Sequence, residues 1–384
     1  MQAVILAAGE GKRVRPLTWS RPKAMIPVAN RPIIAYTIDA LVKNGIRDIV
    51  VVVGYRKEQV TRYLNQLDIP VTVVVQEKQL GTAHALLQAK SAITDDFLLL
   101  PGDNYIDPQS VARIKNTKNA LLVKEHPHPS NFGVVTVCEG RAESIVEKPE
   151  HAASFQVSTG IYSLTKEVFS QIKSNDMTDV IAGMINSGTV VRAIPADDWQ
   201  DAIYPWDLLT LNQRLLKHLP AIREGVTSRH ATITGPVQIG RGSVVGPNTV
   251  ITGPVIIGDN CTIGPNSCIL PNTSIGSRVT IDPLCLVGSS IVMDDTCIGS
   301  HSRIIDAVIG ERCTLADHTS TGQQDGLLEI EGVPVHTGFG AIIGDNVRCG
   351  PFSCICNSII GNNVSSEGDR KMISRIIPDG TLVI

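Results

Sequence analysis

The residues best equipped for chemistry stand near the start: LAAGEGKRVRPLT, Leu6 to Thr18, followed by Arg21-Pro22-Lys23. A short apolar run enters a Gly-x-Gly turn at Gly9 and Gly11, and then meets Lys12, Arg13 and Arg15. Backbone N–H groups of such a turn can cradle phosphate oxygens, with Arg13 and Lys23 supplying charge from two sides. Two common phosphate loops are excluded. A P-loop needs glycine five residues before its Gly-Lys pair and Ser or Thr after it, and those positions hold Leu6 and Arg13. A dinucleotide fingerprint needs a third glycine where Val14 stands. Spacing alone leaves a phosphate site or a solvated basic turn.

Elements that could position such a site are legible in two halves of a 384-residue chain, long enough for two full cores. Ala3–Ala7, Asp48–Val53, Val71–Val75 and Phe97–Leu100 read as short buried parallel strands. Helical stretches at Ile33–Asn44, Lys57–Gln66 and Thr82–Lys90 separate them, Asn44-Gly45 stops the first, and Leu208–Leu219 leads out of the domain. This rhythm predicts a doubly wound parallel sheet with ligands at the carboxyl ends of its strands. After about residue 225 the period becomes six: Ile239, Val245, Ile251, Ile257, Ile263, Ile269, Ile275, Ile281 and Val287, with glycine often following directly. A hexad repeat predicts a parallel β-helix, three faces to a coil, about seven coils long, with Gly and Asn at corners of positive φ. The register slips between Val287 and Ile298 and between Ile304 and Ile309, and it resumes at Ile343 after an irregular stretch. The expected domains are 1–224 and 225–384.

Composition narrows the function. A formal charge of −3 with interspersed acids and bases suggests neither a nucleic-acid partner nor a polybasic membrane patch. The apolar runs are strand-sized and the N-terminus enters a strand without a charged n-region, so a cytoplasmic protein is expected. Of nine cysteines, eight follow residue 260; with no CxxC they are read as buried thiols rather than disulfides or zinc ligands. Aromatics make up only 4% of the chain, as a narrow prism interior requires.

LAAGEGKRVRPLT with RPKAMIPVANRP resembles the signature of sugar-1-phosphate nucleotidylyltransferases, and further segments extend the likeness in order. QEKQLGTAHAL (Gln76–Leu86) is similar to the base-recognition segment of uridylyl- and thymidylyl-transferring members. FLLLPGDN (Phe97–Asn104) carries Asp103, matching the family's Mg²⁺-holding aspartate, and YPWDLL offers Asp207 as second metal ligand. FGVV, EKP and STGIY resemble the sugar-pocket segments. The resemblance implies a Rossmann-like nucleotidyltransferase domain followed by a left-handed parallel β-helix. It implies Mg²⁺-dependent transfer from UTP or dTTP to glucose 1-phosphate or N-acetylglucosamine 1-phosphate, releasing pyrophosphate. Leu6, Ala8, Gly9, Gln76, Gly81 and Thr82 would bind the nucleotide; Arg13 and Lys23 would neutralise phosphate charge in catalysis. Gly133, Glu147, Lys148, Ser158 and Thr159 would hold the sugar phosphate, although Ser158 stands where many relatives have Asn. A glutamine amide offers donor and acceptor together, which suits the imide edge of uracil or thymine; one methyl, worth about 1–3 kcal/mol, separates those two bases. The bland alternatives are a turn-forming Asp103, a helix-capping Asp207, an exposed Glu147-Lys148 pair and an exposed Gln76 amide.

In GlmU-like bifunctional relatives the prism also acetylates glucosamine 1-phosphate with acetyl-CoA. Their motif resembles G-H-L-T-Y-x-G-D-A-x-I-G; here, in GSHSRIIDAVIG (Gly299–Gly310), the segment from His301 onward is one residue short, with Arg303 at the Tyr position and Ile305 for Gly. His301 is the candidate acetyl-transfer base, against a solvated corner histidine. Prisms of this kind imply a homotrimer or higher homo-oligomer. A non-catalytic regulatory subunit that binds nucleotide sugars is the remaining alternative, and the intact set of Arg13, Lys23, Asp103, Lys148 and Asp207 argues against it.

Overall fold

Runs such as Ile49–Val53, at most 1% exposed, are buried on both faces, which is why parallel strands of this kind need helices on either side. In the computed structural model, which describes residues 1–384, two units form. Met1–Glu10, Arg21–Met25 and Pro32–Asp201 make the first; Gly11–Ser20, Ile26–Arg31 and Ala202–Ile384 make the second.

In the first unit, β1 (Gln2–Ala7), β2 (Ile49–Val53), β3 (Val71–Val75) and β4 (Phe97–Pro101) run parallel, linked by α1 (Ile33–Lys43), α2 (Lys57–Leu64) and α3 (Thr82–Gln88). Helix α1 closes at Gly45, φ +78°, with its N–H donating to Val42 and that of Ile46 to Leu41. The strand order β3-β2-β1-β4 reverses direction between β1 and β4, so their carboxyl ends diverge into a crevice suited to a ligand.

The remaining strands depart from the expected parallel sheet. They are β5 (Ala120–Glu125), β6 (Gly133–Cys138), β7 (Arg141–Glu147), β8 (Gln156–Leu164) and β9 (Arg192–Pro195), and the full order is β3-β2-β1-β4-β8-β5-β9-β7-β6. Strand β8 is antiparallel to both β4 and β5. It follows the β6–β7 hairpin rather than a crossover helix, and an antiparallel neighbour needs no crossover. Helix α4 (Met177–Asn186) packs Met177, Val180, Ile181 and Met184 into the core of this unit.

The second unit holds α5 (Asp207–Leu216) and a three-faced parallel β-helix, with nine strands on two faces and eight on the third. Its rungs begin at Ile222 and end at Val383, so it is longer than the periodic stretch alone implied, about 38 Å at ~4.8 Å per rung. Ile239, Ile257, Ile275, Val292, Ile309, Ile343, Ile360 and Ile377 stack in one inward column. The slips in the hexad are coils one residue shorter, because the corner between Val287 and Val292 has lost a position. The irregular stretch is an antiparallel hairpin, Gln324–Ile330 with Val333–Phe339, turning at Glu331-Gly332 with both φ positive. Phe339 at its base stacks on Trp206, ring centroids 5.1 Å apart.

Corner chemistry also differs from expectation. Most glycines that follow a buried aliphatic lack positive φ; they are there because a Cβ would collide with the next coil, as at Gly258, 2.6 Å from Gly276 backbone. Positive φ falls two residues later, at Asn260 and Asn266 but also at Arg278, Leu284, His301, His318 and Phe352. Buried Asn212 on α5 ties this unit together: its Oδ1 accepts from Ala29 N–H and Ser274 Oγ, and its Nδ2 donates to the Asn272 carbonyl.

Four cysteines are buried as expected, whereas Cys268, Cys297, Cys354 and Cys356 are half-buried and Cys138 is exposed. Cys261, Cys285 and Cys313 donate to carbonyls of the next coil at 3.0–3.1 Å, the role that Ser243 fills with its hydroxyl. Burial pushes the Cys313 thiol up to about 12 and those of Cys285 and Cys349 to about 11. A thiol dye at neutral pH should therefore label at most Cys138, Cys268, Cys297, Cys354 and Cys356 in the native protein; Cys261, Cys285, Cys313 and Cys349 should react only in denaturant, as peptide mapping would show.

Candidate active site

The crevice between β1 and β4 is built by what the backbone leaves out. Gly102 donates its N–H to the Leu6 carbonyl at 2.9 Å, and a Cβ there would press to 3.1 Å on Ala7 and Ile5. Gly9, just past β1, is exposed with open space over its Cα. Ala8 is buried and its carbonyl accepts from the Tyr55 N–H at 3.1 Å, while Leu6 is half-buried. Gly9 thus presents its backbone at the carboxyl end of the central strand.

Beyond Gly102, Asn104–Ile106 pairs antiparallel with Trp199–Asp201, Asn104 opposite Asp201. That ladder brings Asp103 and Asp201 to one ammonium: Lys23 Nζ lies 3.1 Å from Asp103 Oδ2 and 2.8 Å from Asp201 Oδ1. Lys23 is buried, and burial alone would discharge it. The two carboxylates more than offset that, holding its pKa above the ordinary lysine value, so the ammonium stays charged throughout the neutral range.

Asp201 is the main site residue that no sequence pattern singled out. Its signal was available: it stands two residues after buried Trp199, on the same side of a short strand. Asp207, expected as the second carboxylate, belongs to the second unit, where it opens α5 and its Oδ2 accepts from the Tyr204 N–H at 2.8 Å. Arg13 also belongs to that unit, exposed on the one-turn helix Lys12–Val14. Arg15 stacks over Trp19, its guanidinium carbon 3.7 Å from a ring centroid.

The donors fit a hard divalent cation. Both are carboxylates, and an ammonium already occupies the position of a cation between them. No group of three or more His, Cys, Asp or Glu side chains gathers anywhere in the chain to hold a metal alone. A two-carboxylate site suits an ion such as Mg²⁺, which keeps waters and takes phosphate oxygens as its other ligands.

At the end of β3, Gln76 is 3% exposed, and its Nε2 meets the Gly81 carbonyl and His84 Nδ1. Gly81 has φ 141° and ψ 176°, a conformation essentially confined to glycine, and a Cβ on it would run into the Asn175 carbonyl. That same carbonyl accepts the N–H groups of Ala83 and His84, which open α3. The Thr82 hydroxyl is engaged locally, accepting from the Met177 N–H at 2.9 Å.

On the far side of the sheet, Gly133 faces Glu147 across the β6–β7 hairpin, and Glu147 Oε2 would lie 3.2 Å from a Cβ at 133. Glu147 is held by Thr178 Oγ1 of α4 at 2.9 Å, a partner the sequence did not signal, and by Lys148 Nζ at 3.3 Å. Lys148 is exposed, with φ 41°. The Ser158 hydroxyl lies 3.2 Å from that of Tyr162, whose pKa burial pushes up to about 12. Thr159 is buried and donates to the Leu122 carbonyl, so its hydroxyl serves the backbone. His301 lies on the prism, exposed, its ring stacked on His318 at 4.9 Å, and His318 in turn on Phe352 at 4.6 Å.

The nucleotidyl transferase profile matches residues 2–218, and that of the GMPPB C-terminal domain matches residues 251–360. The chain belongs to the nucleotidyl transferase family. It is 37% identical over 410 aligned positions to the bifunctional protein GlmU of Methanococcus maripaludis, covering all of this chain and 99% of that one. The first half is also 37% identical over 234 positions to the UTP–glucose-1-phosphate uridylyltransferase AglF of Haloferax volcanii, covering 56% of this chain and 96% of that protein. Among solved structures, the UDP-glucose pyrophosphorylase of Acinetobacter baumanii matches with TM-score 0.51 and 26% identity, covering 56% of this chain and 94% of that one.

Substituting Gly81→Ala should destabilise the protein by about 1–3 kcal/mol through backbone strain, whereas Gly9→Ala, with open space around it, should stay within about 0.5 kcal/mol of wild type. Urea unfolding of the two variants would check the contrast.

Proposed function

We propose that this family member transfers a uridylyl or thymidylyl group from UTP or dTTP to a sugar 1-phosphate, glucose 1-phosphate or N-acetylglucosamine 1-phosphate, in an Mg²⁺-dependent reaction. The observation that carries the reading is the charged Lys23 held between Asp103 and Asp201 at the crevice of the sheet. The names of the archaeal relatives support it. A phosphate oxygen of the sugar 1-phosphate attacks the α-phosphorus, and pyrophosphate leaves in line. Such chemistry rests on positioning and charge neutralisation. Lys23 would meet charge growing on the α-phosphate, and the backbone of Gly9 would approach the phosphates. Arg13 is assigned the β- and γ-phosphates. Asp103 and Asp201, in place of Asp207, would hold the cation, which when bound neutralises phosphate charge. Glu147, positioned by Thr178, would accept from a sugar hydroxyl, and Lys148 would hold the sugar phosphate.

A panel of triphosphates crossed with sugar 1-phosphates, read as pyrophosphate release, tests this. Asp103→Ala and Asp201→Ala should each lose about 10²-fold or more in kcat, and chelation should abolish activity until Mg²⁺ is restored. Asp207→Ala should lose far less, because it removes a turn hydrogen bond worth about 1 kcal/mol. Full activity in Asp201→Ala would overturn the carboxylate assignment.

A second activity, acetylation of an amino-sugar 1-phosphate by acetyl-CoA in the prism, is favoured by full-length similarity to proteins called bifunctional. His301 is its proposed base, and assembly into a homotrimer or higher oligomer its proposed setting. Acetyl-CoA with glucosamine 1-phosphate should release free CoA, and His301→Ala should slow that release at least tenfold with nucleotidyl transfer intact. No CoA release would leave the prism as a scaffold.

A further inference from the structure

Gln76 is more constrained than a base-reading amide needs to be. Its backbone N–H is tied to the Val53 carbonyl at 2.8 Å, and its own carbonyl accepts from Gln79 Nε2 at 3.0 Å. Its side-chain Nε2 lies 3.1 Å from the Gly81 carbonyl and 2.9 Å from His84 Nδ1. A carbonyl oxygen can only accept, so the amide atom facing Gly81 is nitrogen, and the orientation of the carboxamide follows. One N–H goes to Gly81. The other points at His84, whose Nδ1 must then present a lone pair, leaving the ring proton on Nε2; the Gln88 amide nitrogen near that side of the ring donates to the His84 carbonyl at 3.3 Å instead. Helix α3 holds His84 in place, since its N–H donates to the Asn175 carbonyl at 3.2 Å.

With both N–H groups taken, the amide has only Oε1 left to offer a ligand. A bare acceptor suits the N3–H of uracil or thymine and opposes cytosine, which presents a lone pair at N3. We infer that His84 is a positioning residue for base selection: together with the Gly81 carbonyl it locks Gln76 with its oxygen outward, so the pocket accepts pyrimidines carrying an N3–H and rejects cytosine nucleotides. Nothing in this requires His84 to touch the substrate. The inference rests on the proposed meeting of Gln76 with the base.

The experiment is pyrophosphate release from UTP, dTTP and CTP at fixed sugar 1-phosphate, for wild type, His84→Ala, His84→Asn and Gln76→Met. Removing the acceptor in His84→Ala frees the amide to turn over, against only the Gly81 carbonyl. The UTP-over-CTP ratio of kcat/KM should then shrink about tenfold, the worth of one hydrogen bond of about 1.4 kcal/mol. The change should fall on KM for UTP, with kcat and thermal stability close to wild type. In His84→Asn an amide oxygen can replace Nδ1 as acceptor, so the ratio should return, which a purely structural role would not produce. An unchanged ratio in His84→Ala, or a fallen one that His84→Asn does not restore, overturns the positioning role. If Gln76→Met also leaves base preference untouched, or wild type releases no pyrophosphate from any pyrimidine triphosphate, the underlying base or activity reading has failed instead, and this inference with it.

Discussion

One buried ammonium shared by two carboxylates organises the first unit. Asp103 and Asp201 close enough to touch the same nitrogen would repel each other without it, and Lys23 buried without them would lose its proton. The three residues come from separate stretches of chain: the turn after Pro22, the end of β4 and a two-stranded ladder ninety-odd residues later. With two negative charges against one positive, the cluster carries a net charge of −1 and favours a further cation. Phosphate groups brought with that cation would find Lys23 already placed and charged. The same contacts that stabilise the fold thereby prepare the charge pattern a nucleoside triphosphate needs.

Close backbone approach is the second recurring device, and glycine meets it in different ways. Gly102 lets the end of β4 lie against β1, and Gly9 leaves the crevice open. Gly81 adopts a conformation that side chains avoid and so brings its carbonyl to Gln76. In the prism, glycines after the buried aliphatics let one coil corner seat on the next, while the left-handed corner residue two places later varies freely. His301 stands at one of those corners, the position Asn266 and Leu284 occupy in the coils before it. Its exposure and stacking follow from that geometry, whatever chemistry it performs.

The prism also shows how a repeat tolerates interruption. Dropping one residue at a single corner keeps the inward column of Ile and Val in register, because the hydrogen bonds between coils, not the residue count, hold the alignment. A whole hairpin is inserted between two successive rungs of one face, Ala307–Ile309 and Ala341–Ile343, which still pair directly. Buried thiols replace hydroxyls in the ladder of donors to the next coil, an exchange open to cysteine because it is small and a weak donor.

Much of this was written in local pattern. Buried β-branched runs and helix punctuation marked β1 to β4 and α1 to α3, the six-residue period marked the prism, and Gly9 marked where β1 ends. These are short-range signals, since a few neighbouring residues suffice to set a strand, a cap or a repeat. Three things were not of that kind. The antiparallel entry of β8 depends on which strand edge is free when the chain returns. The partnership of Asp201 with Asp103 depends on the register of a ladder between segments far apart, where a shift of one residue would turn the carboxylate away. The orientation of the Gln76 amide depends on a carbonyl five residues on and an imidazole eight residues on, both positioned by the distant Asn175 carbonyl that seats the start of α3. Sequence alone determined which residue types were present and roughly where the first strands, helices and repeats would lie; tertiary structure decided which carboxylate shares Lys23 with Asp103 and which partners hold the Gln76 amide, because those choices depend on contacts between distant parts of the chain.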